Sequence, residues 1–152
     1  MSVVARLETG TLDPAAVLNE LMQAVSTDGA VVSFVGIARG QARGGEAVDR
    51  LALEHHPRLT LDSLERIATD AAARFAVNHV LVVHRCGEIA AGEPIVFAGA
   101  ASAHRRAAFE AADYLMDRLK TEAVFWKREE GPAIRNWIEP TDSDYADRAR
   151  WE

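Results

Sequence analysis

The sequence predicts an α+β fold with a largely antiparallel sheet and about three main helices. Three stretches carry apolar residues at helical spacing, several β-rich runs are interspersed with them, and some of those runs are joined by short turns rather than by further helices. With no internal repeat and no linker, residues 1–152 read as one domain, of which 140–152 is a short acidic tail.

In chain order, Val3 to Glu8 reads as a short strand, and Asp13-Pro14 starts a helix with an N-cap followed by proline in the first turn. Val17, Leu18, Leu21, Met22 and Val25 form its apolar face, and Ser26 to Gly29 breaks it. Ala30 to Ile37 is β-rich, and the next ten residues place Arg39 and Arg43 among Gly40, Gly44 and Gly45, a mobile cationic loop. Val48 to His55 alternates as a strand does and Pro57 ends it. Thr60 is the expected N-cap of a second helix, with Leu61, Leu64, Ile67, Ala68, Ala71 and Phe75 on one stripe. His79 to Arg85 is a further strand, Gly87 and Gly92 punctuate a turn-rich segment, and Pro94 to Ala101 is again extended. Ser102 is the expected cap of the third helix, whose apolar positions are Ala108, Phe109, Ala112, Leu115, Met116 and Leu119. Val124 to Arg128 and Ile134 to Glu139 are extended on either side of Gly131-Pro132, and one or two helical turns follow Asp142.

Composition narrows the functions open to such a chain. Hydrophobic residues at 49% and charged residues at 26% are ordinary for a globular protein. No apolar run is long enough to span a bilayer, and Arg6 and Glu8 interrupt the first apolar residues, so the expected location is the cytoplasm, with no membrane partner. The net charge of −6 argues against a nucleic-acid partner, because no broad excess of cations exists to displace counterions. One cysteine, Cys86, allows neither an internal disulfide nor a thiolate metal cluster and is expected in the core. His55 and His56 point to opposite faces of a strand, which suits no single metal, and His84 is expected to be a satisfied core histidine. No metal site and no cofactor is therefore predicted.

The stretch Lys120 to Lys127 holds both lysines of the chain, whereas the other fifteen of its 17 cations are arginines. An amine loses its proton when desolvated and can then attack a carbonyl or move a proton, which a guanidinium cannot do. On a helical projection Lys120 lies at the border between buried and solvated positions. If Val124 to Arg128 is extended, Phe125 and Lys127 share one face while Val124 and Trp126 share the other. Arg105 projects close to the centre of the apolar stripe, and His104 and Arg105 beside a helix N-terminus would complete an anion pocket. These residues alone leave open an enzyme, a non-catalytic α+β module that binds an anionic small molecule or a partner's C-terminal tail, and a structural interaction protein.

Several short stretches in this order resemble the large, catalytic subunit of molybdopterin synthase. They are Phe34-Val35-Gly36 with Arg39, Leu53 to Pro57, His84 to Glu88, Ser102 to Arg105 and Lys120 to Glu129, together spanning roughly residues 29 to 139. The resemblance implies an α/β hammerhead fold and a homodimer within a heterotetramer, with a small ubiquitin-like sulfur-carrier subunit at each end. The carrier's C-terminal Gly-Gly thiocarboxylate would supply two sulfurs to cyclic pyranopterin monophosphate, giving the dithiolene of molybdopterin, a sulfurtransferase reaction. By position, Lys120 and Lys127 are implied as catalytic. Arg39, His104 and Arg105 are implied as substrate-binding residues in a pocket that draws on both protomers. The acidic tail has Pro140 and Thr141 where a further basic pocket residue would be sought, so its role is left open.

Overall fold

The computed structural model describes all residues, Met1–Glu152. Its strands form two four-stranded sheets. The first contains β1 (Ser2–Glu8), β2 (Ala30–Ile37), β4 (His79–Arg85) and β6 (Pro94–Ser102) in the order β1-β4-β6-β2. The second contains β3 (Arg50–His55), β5 (Gly87–Ala90), β7 (Phe125–Glu130) and β8 (Arg135–Ile138) in the order β5-β3-β7-β8. Only β1 and β4 pair in parallel; every other neighbouring pair is antiparallel. The helices are α1 (Pro14–Ala24), α2 (Leu59–Arg74), α3 (Arg105–Glu122) and α4 (Asp142–Ala149). The predicted α+β class and antiparallel bias hold, with the strands divided between two sheets.

The first sheet is covered on both faces, and the two-residue period of its central strands shows how. Val80 and Val82 of β4 and Val96, Ala98 and Ala100 of β6 face α2 and α3, where they meet Leu64, Ile67, Ala71 and Leu115. The intervening Leu81, Val83 and Phe97 face α1 and meet Val17 and Leu21. Strands buried on both faces read as continuous apolar runs, as β4 and β6 do. Each fully buried valine or leucine contributes roughly 1.5–3 kcal/mol, so this sheet carries the larger share of the core stabilisation. The second sheet has a smaller core, of Ala38, Leu53 and Ile89 with Phe125 packed against it.

Helix starts differ from the sequence expectation in two places. Asp13 caps α1 as expected, accepting from the Ala15 and Ala16 amides. Thr60, however, lies inside α2, where its buried hydroxyl donates to the Val124 carbonyl at 2.6 Å and accepts from the His56 amide at 2.8 Å. The freed N–H groups of Arg58 and Leu59 go instead to His56 Nδ1, at 3.1 and 3.0 Å. Ser102 closes β6 and donates to the His104 carbonyl, which leaves His104 as the N-cap of α3 without a side-chain cap bond. Phe109, assigned to the apolar stripe of α3, is 59% exposed, and Met22 of α1 is 50% exposed.

The segment read as turn-rich contains β5, which pairs with β3. Gly87, at φ 89°, begins it, and the left-handed conformation turns the chain from the first sheet into the second. The residues between β2 and β3, read as a mobile loop, form a small backbone-bonded hairpin, with Ala42 N–H donating to Glu46 at 2.8 Å and Val48 N–H to Gly40 at 3.0 Å. The β7–β8 turn presses against this hairpin so closely that a methyl group on Gly131 would lie 2.0 Å from the Ala47 carbonyl oxygen. Gly131→Ala is therefore expected to cost about 1–3 kcal/mol by forcing backbone against backbone. A denaturant midpoint equal to the parent's would refute that packing.

The acidic tail docks on α3. Thr141 and Asp144 form a capping box that starts α4, and Arg148 and Arg150 reach Glu122 and Asp117 at 2.6 and 2.7 Å. Trp151 donates to Asp117 at 2.7 Å and packs edge-on against Phe75 and Tyr114.

Candidate active site

A cleft of about 920 Å³ opens between the second sheet, the hairpin, the C-terminal end of α3 and the start of α4. Strand alternation decides which part of β7 faces it. Lys127 and Glu129 line the cleft, while Trp126 on the opposite face is 50% exposed and Arg128 lies over the Trp137 ring at 4.9 Å. Lys127 pairs directly with Leu53 of β3 on one side and Ile138 of β8 on the other. An ammonium between two aliphatic side chains loses much of its hydration. Burial accordingly pushes the Lys127 pKa down from 10.5 to about 8, the positive charge of Lys120 adds to the shift, and the Asp144 carboxylate opposes it.

Lys120 stands in the last turn of α3, where a cation complements the helix dipole, and it is exposed to the cleft. Arg39 faces the same space from the base of the hairpin. Neither lysine enters an ion pair; every salt bridge in the structure uses an arginine or His79. Two unpaired amines, one of them poised to lose its proton near neutrality, can bind an anion and donate or accept protons beside it.

His84 underlies this arrangement. Its ring is 5% exposed, stacks on Phe125 at 4.3 Å, and bonds through Nδ1 to the Arg85 carbonyl at 2.8 Å. It is the satisfied core histidine the sequence suggests. Burial pulls its pKa down from 6.5 to about 4; the Arg85 carbonyl opposes that shift, and the Lys127 and Lys120 charges add to it. Because the folded pKa lies below the unfolded one, the unfolded chain binds more protons between these values. Stability is therefore complete above about 6.5 and falls as pH drops toward 4, by up to about 3 kcal/mol. The interval from about pH 6.5 to 5, above the ordinary carboxylate range, isolates the histidine. His84→Asn should flatten the urea midpoint across it, and an unchanged slope would refute the assignment. Cys86 is also buried, at 1% exposure, and burial raises its thiol pKa, as suits a core residue.

Of the residues singled out from the sequence, the structure brings Arg39, Lys120 and Lys127 together and leaves His104 and Arg105 apart. Arg105 is exposed and lines a separate depression of about 350 Å³ at the other end of α3, with Arg106, Phe109 and Asp113. Fifteen residues of helix at 1.5 Å each separate it from Lys120, about 22 Å. The expectation that Arg105 sits against the apolar stripe also fails, because Arg105 is exposed at the start of α3. Sequence reasoning missed the aliphatic walls beside Lys127 and the contribution of Thr141 and Asp144. The Thr-x-x-Asp capping pattern was visible in the chain, but nothing in it indicates that the helix it starts faces the lysines.

Comparison with known proteins agrees with the fold. The family model described as MoaE protein matches residues 7–122, most of the chain. A protein of Caulobacter vibrioides named molybdopterin synthase catalytic subunit is 43% identical over 150 residues, covering 99% of this chain and 98% of its own. A Pseudomonas aeruginosa protein of the same name is 43% identical over 147 residues, covering 97% of each. Among solved structures, the molybdopterin biosynthesis MoaE protein from Burkholderia ambifaria superposes with a TM-score of 0.83 at 35% identity, covering 99% of this chain and 98% of that one. Agreement along almost the whole length, in sequence and in backbone, places the chain in the MoaE protein family.

Proposed function

We propose that the chain is the catalytic subunit of a molybdopterin synthase, a cytoplasmic sulfurtransferase of molybdenum cofactor biosynthesis. In this reading a small ubiquitin-like carrier presents its C-terminal Gly-Gly thiocarboxylate to the cleft. Two sulfurs, one from each of two thiocarboxylated carriers in turn, pass to cyclic pyranopterin monophosphate and form the dithiolene, and each carrier leaves as its carboxylate. The observation that carries the proposal is the convergence of the only two lysines on one cleft, unpaired, with Lys127 held near pKa 8.

The chemistry suits these groups. Both reactants are anions, so cations must hold them together, and oxygens must leave as sulfur arrives, which calls for nearby proton donors. Lys120 and Lys127 act as the catalytic pair, and Arg39 closes over the substrate from the hairpin. The nucleophilic sulfur comes with the carrier, so a buried Cys86 needs no part in the reaction. The distance along α3 supports a homodimer within a heterotetramer: His104 and Arg105 of a second copy supply the anion pocket that one chain cannot bring to its own lysines.

Reconstitution with a thiocarboxylated carrier and cyclic pyranopterin monophosphate tests the proposal. Dithiolene should form and the carrier should return as its carboxylate. Binding of both without product would instead support a non-catalytic module.

A further inference from the structure

We propose that Asp144 is a positioning residue of the cleft, a fixed carboxylate that serves Lys120 and Lys127 as their shared counter-ion across the cavity. The functional meaning of this pairing rests on the reading of the cleft given above, whereas the pairing itself does not.

Asp144 lines the same cleft as both lysines, yet it forms a contact ion pair with neither. Its side chain is committed elsewhere. The Thr141 amide donates to Asp144 Oδ2 at 2.8 Å, and the Asp144 amide donates to Thr141 Oγ1 at 3.0 Å. The helix carrying it is tied to α3 through Arg148 on Glu122, Arg150 on Asp117 and the Trp151 indole on Asp117. A carboxylate held in this way cannot swing onto an ammonium and acts through space instead. That arrangement leaves both amines free to meet a ligand while part of their charge is already balanced.

The other ionisable groups facing the cleft are Arg39, Arg43 and Glu46 on the hairpin, Glu129 on β7 and Glu139 just before α4. His84, beneath β7, is neutral near pH 7. Among all of these, Asp144 is the carboxylate that resists the loss of the Lys127 proton. The effect is mutual: burial pushes the Asp144 pKa up, but the Thr141 amide and the Lys120 and Lys127 charges hold it below the ordinary value. Asp144 thus sets how much of Lys127 is free amine at working pH, and it repels anions that fail to engage both lysines.

The lysine count makes the test direct. Protein labelled with [13Cε]lysine gives two side-chain resonances, assigned with a Lys120→Arg variant, and each is titrated against pH. Asp144→Asn keeps an acceptor for the Thr141 amide while removing the charge. We expect the Lys127 midpoint to fall by about half a unit, roughly a threefold gain in free amine near neutrality. Loosening of α4 would have the opposite sign, because water reaching Lys127 would raise its midpoint. Asp144→Ser, which is also neutral, serves as the second variant, with the Trp151 indole resonance reporting that α4 stays docked. A fall in either variant with that resonance in place supports the proposal. An unmoved or raised midpoint in both overturns it. If the midpoint falls but the parent protein forms no dithiolene, the counter-ion role stands and the catalytic reading of the cleft fails.

Discussion

Lys127→Ala is expected to lower dithiolene formation at least about 100-fold, the usual loss when a positioned proton-transfer group is removed, while leaving the fold intact. Lys127→Arg should be nearly as damaging. A guanidinium keeps the charge but cannot give up its proton. The parent rate should fall as pH rises through about 8, where Lys127 loses the proton it donates and the charge that holds the anion. Lys120→Gln, which removes the neighbouring positive charge, should move that fall to higher pH. Stability should respond in the opposite sense to activity. Because the folded Lys127 pKa lies below the unfolded value of 10.5, the unfolded chain binds more protons between about 8 and 10.5, and below that window the buried charge costs stability. Lys127→Met removes the charge and keeps the volume, so its thermal midpoint should exceed the parent's. An active Lys127→Arg enzyme, or a Lys127→Met protein less stable than the parent, would sink this account.

Mixing two inactive variants should restore activity. In a homodimer whose sites each combine the lysines of one copy with Arg105 of the other, Lys127→Ala and Arg105→Ala homodimers are both defective at both sites. A mixed dimer carries one doubly damaged site and one intact site, assembled from the undamaged Lys127 of one copy and the undamaged Arg105 of the other. With equal amounts and free exchange, half the dimers are mixed and half their sites work, so about a quarter of the parent activity should return. The starting observation is the length of α3, which keeps Arg105 about 22 Å from Lys120 in one chain. If the mixture stays as inactive as its components after exchange is verified by mass, the two residues do not serve a common site across an interface.

Much of the molecule was legible because its local rules agree with its tertiary packing. The Asp13-Pro14 helix start, the apolar stripes of α2 and α3 and the doubly buried runs of β4 and β6 all follow from period, cap and composition. Misreadings fell where a long-range partner displaced a local one. Thr60 reads as a cap but is used by the Val124 carbonyl, and His56 takes over the cap. Gly87 reads as turn chemistry, yet its left-handed backbone starts a strand of a second sheet. Phe109 has the right helical phase and still faces out, because phase says nothing about where the neighbouring layer ends.

The same division holds for the site. By itself the sequence determined the unusual pair of lysines, their placement near a helix end and on one strand face, and the resemblance that indicates what they serve. Those are matters of residue type and spacing along one chain. Only the tertiary structure decided that Leu53 and Ile138 flank Lys127 and shift its proton affinity, that Arg39 shares the cleft while Arg105 does not, and that the acidic tail returns with Asp144 facing both amines. Each of these depends on dehydration and charge across contacts between residues distant in sequence, which spacing along the chain does not encode.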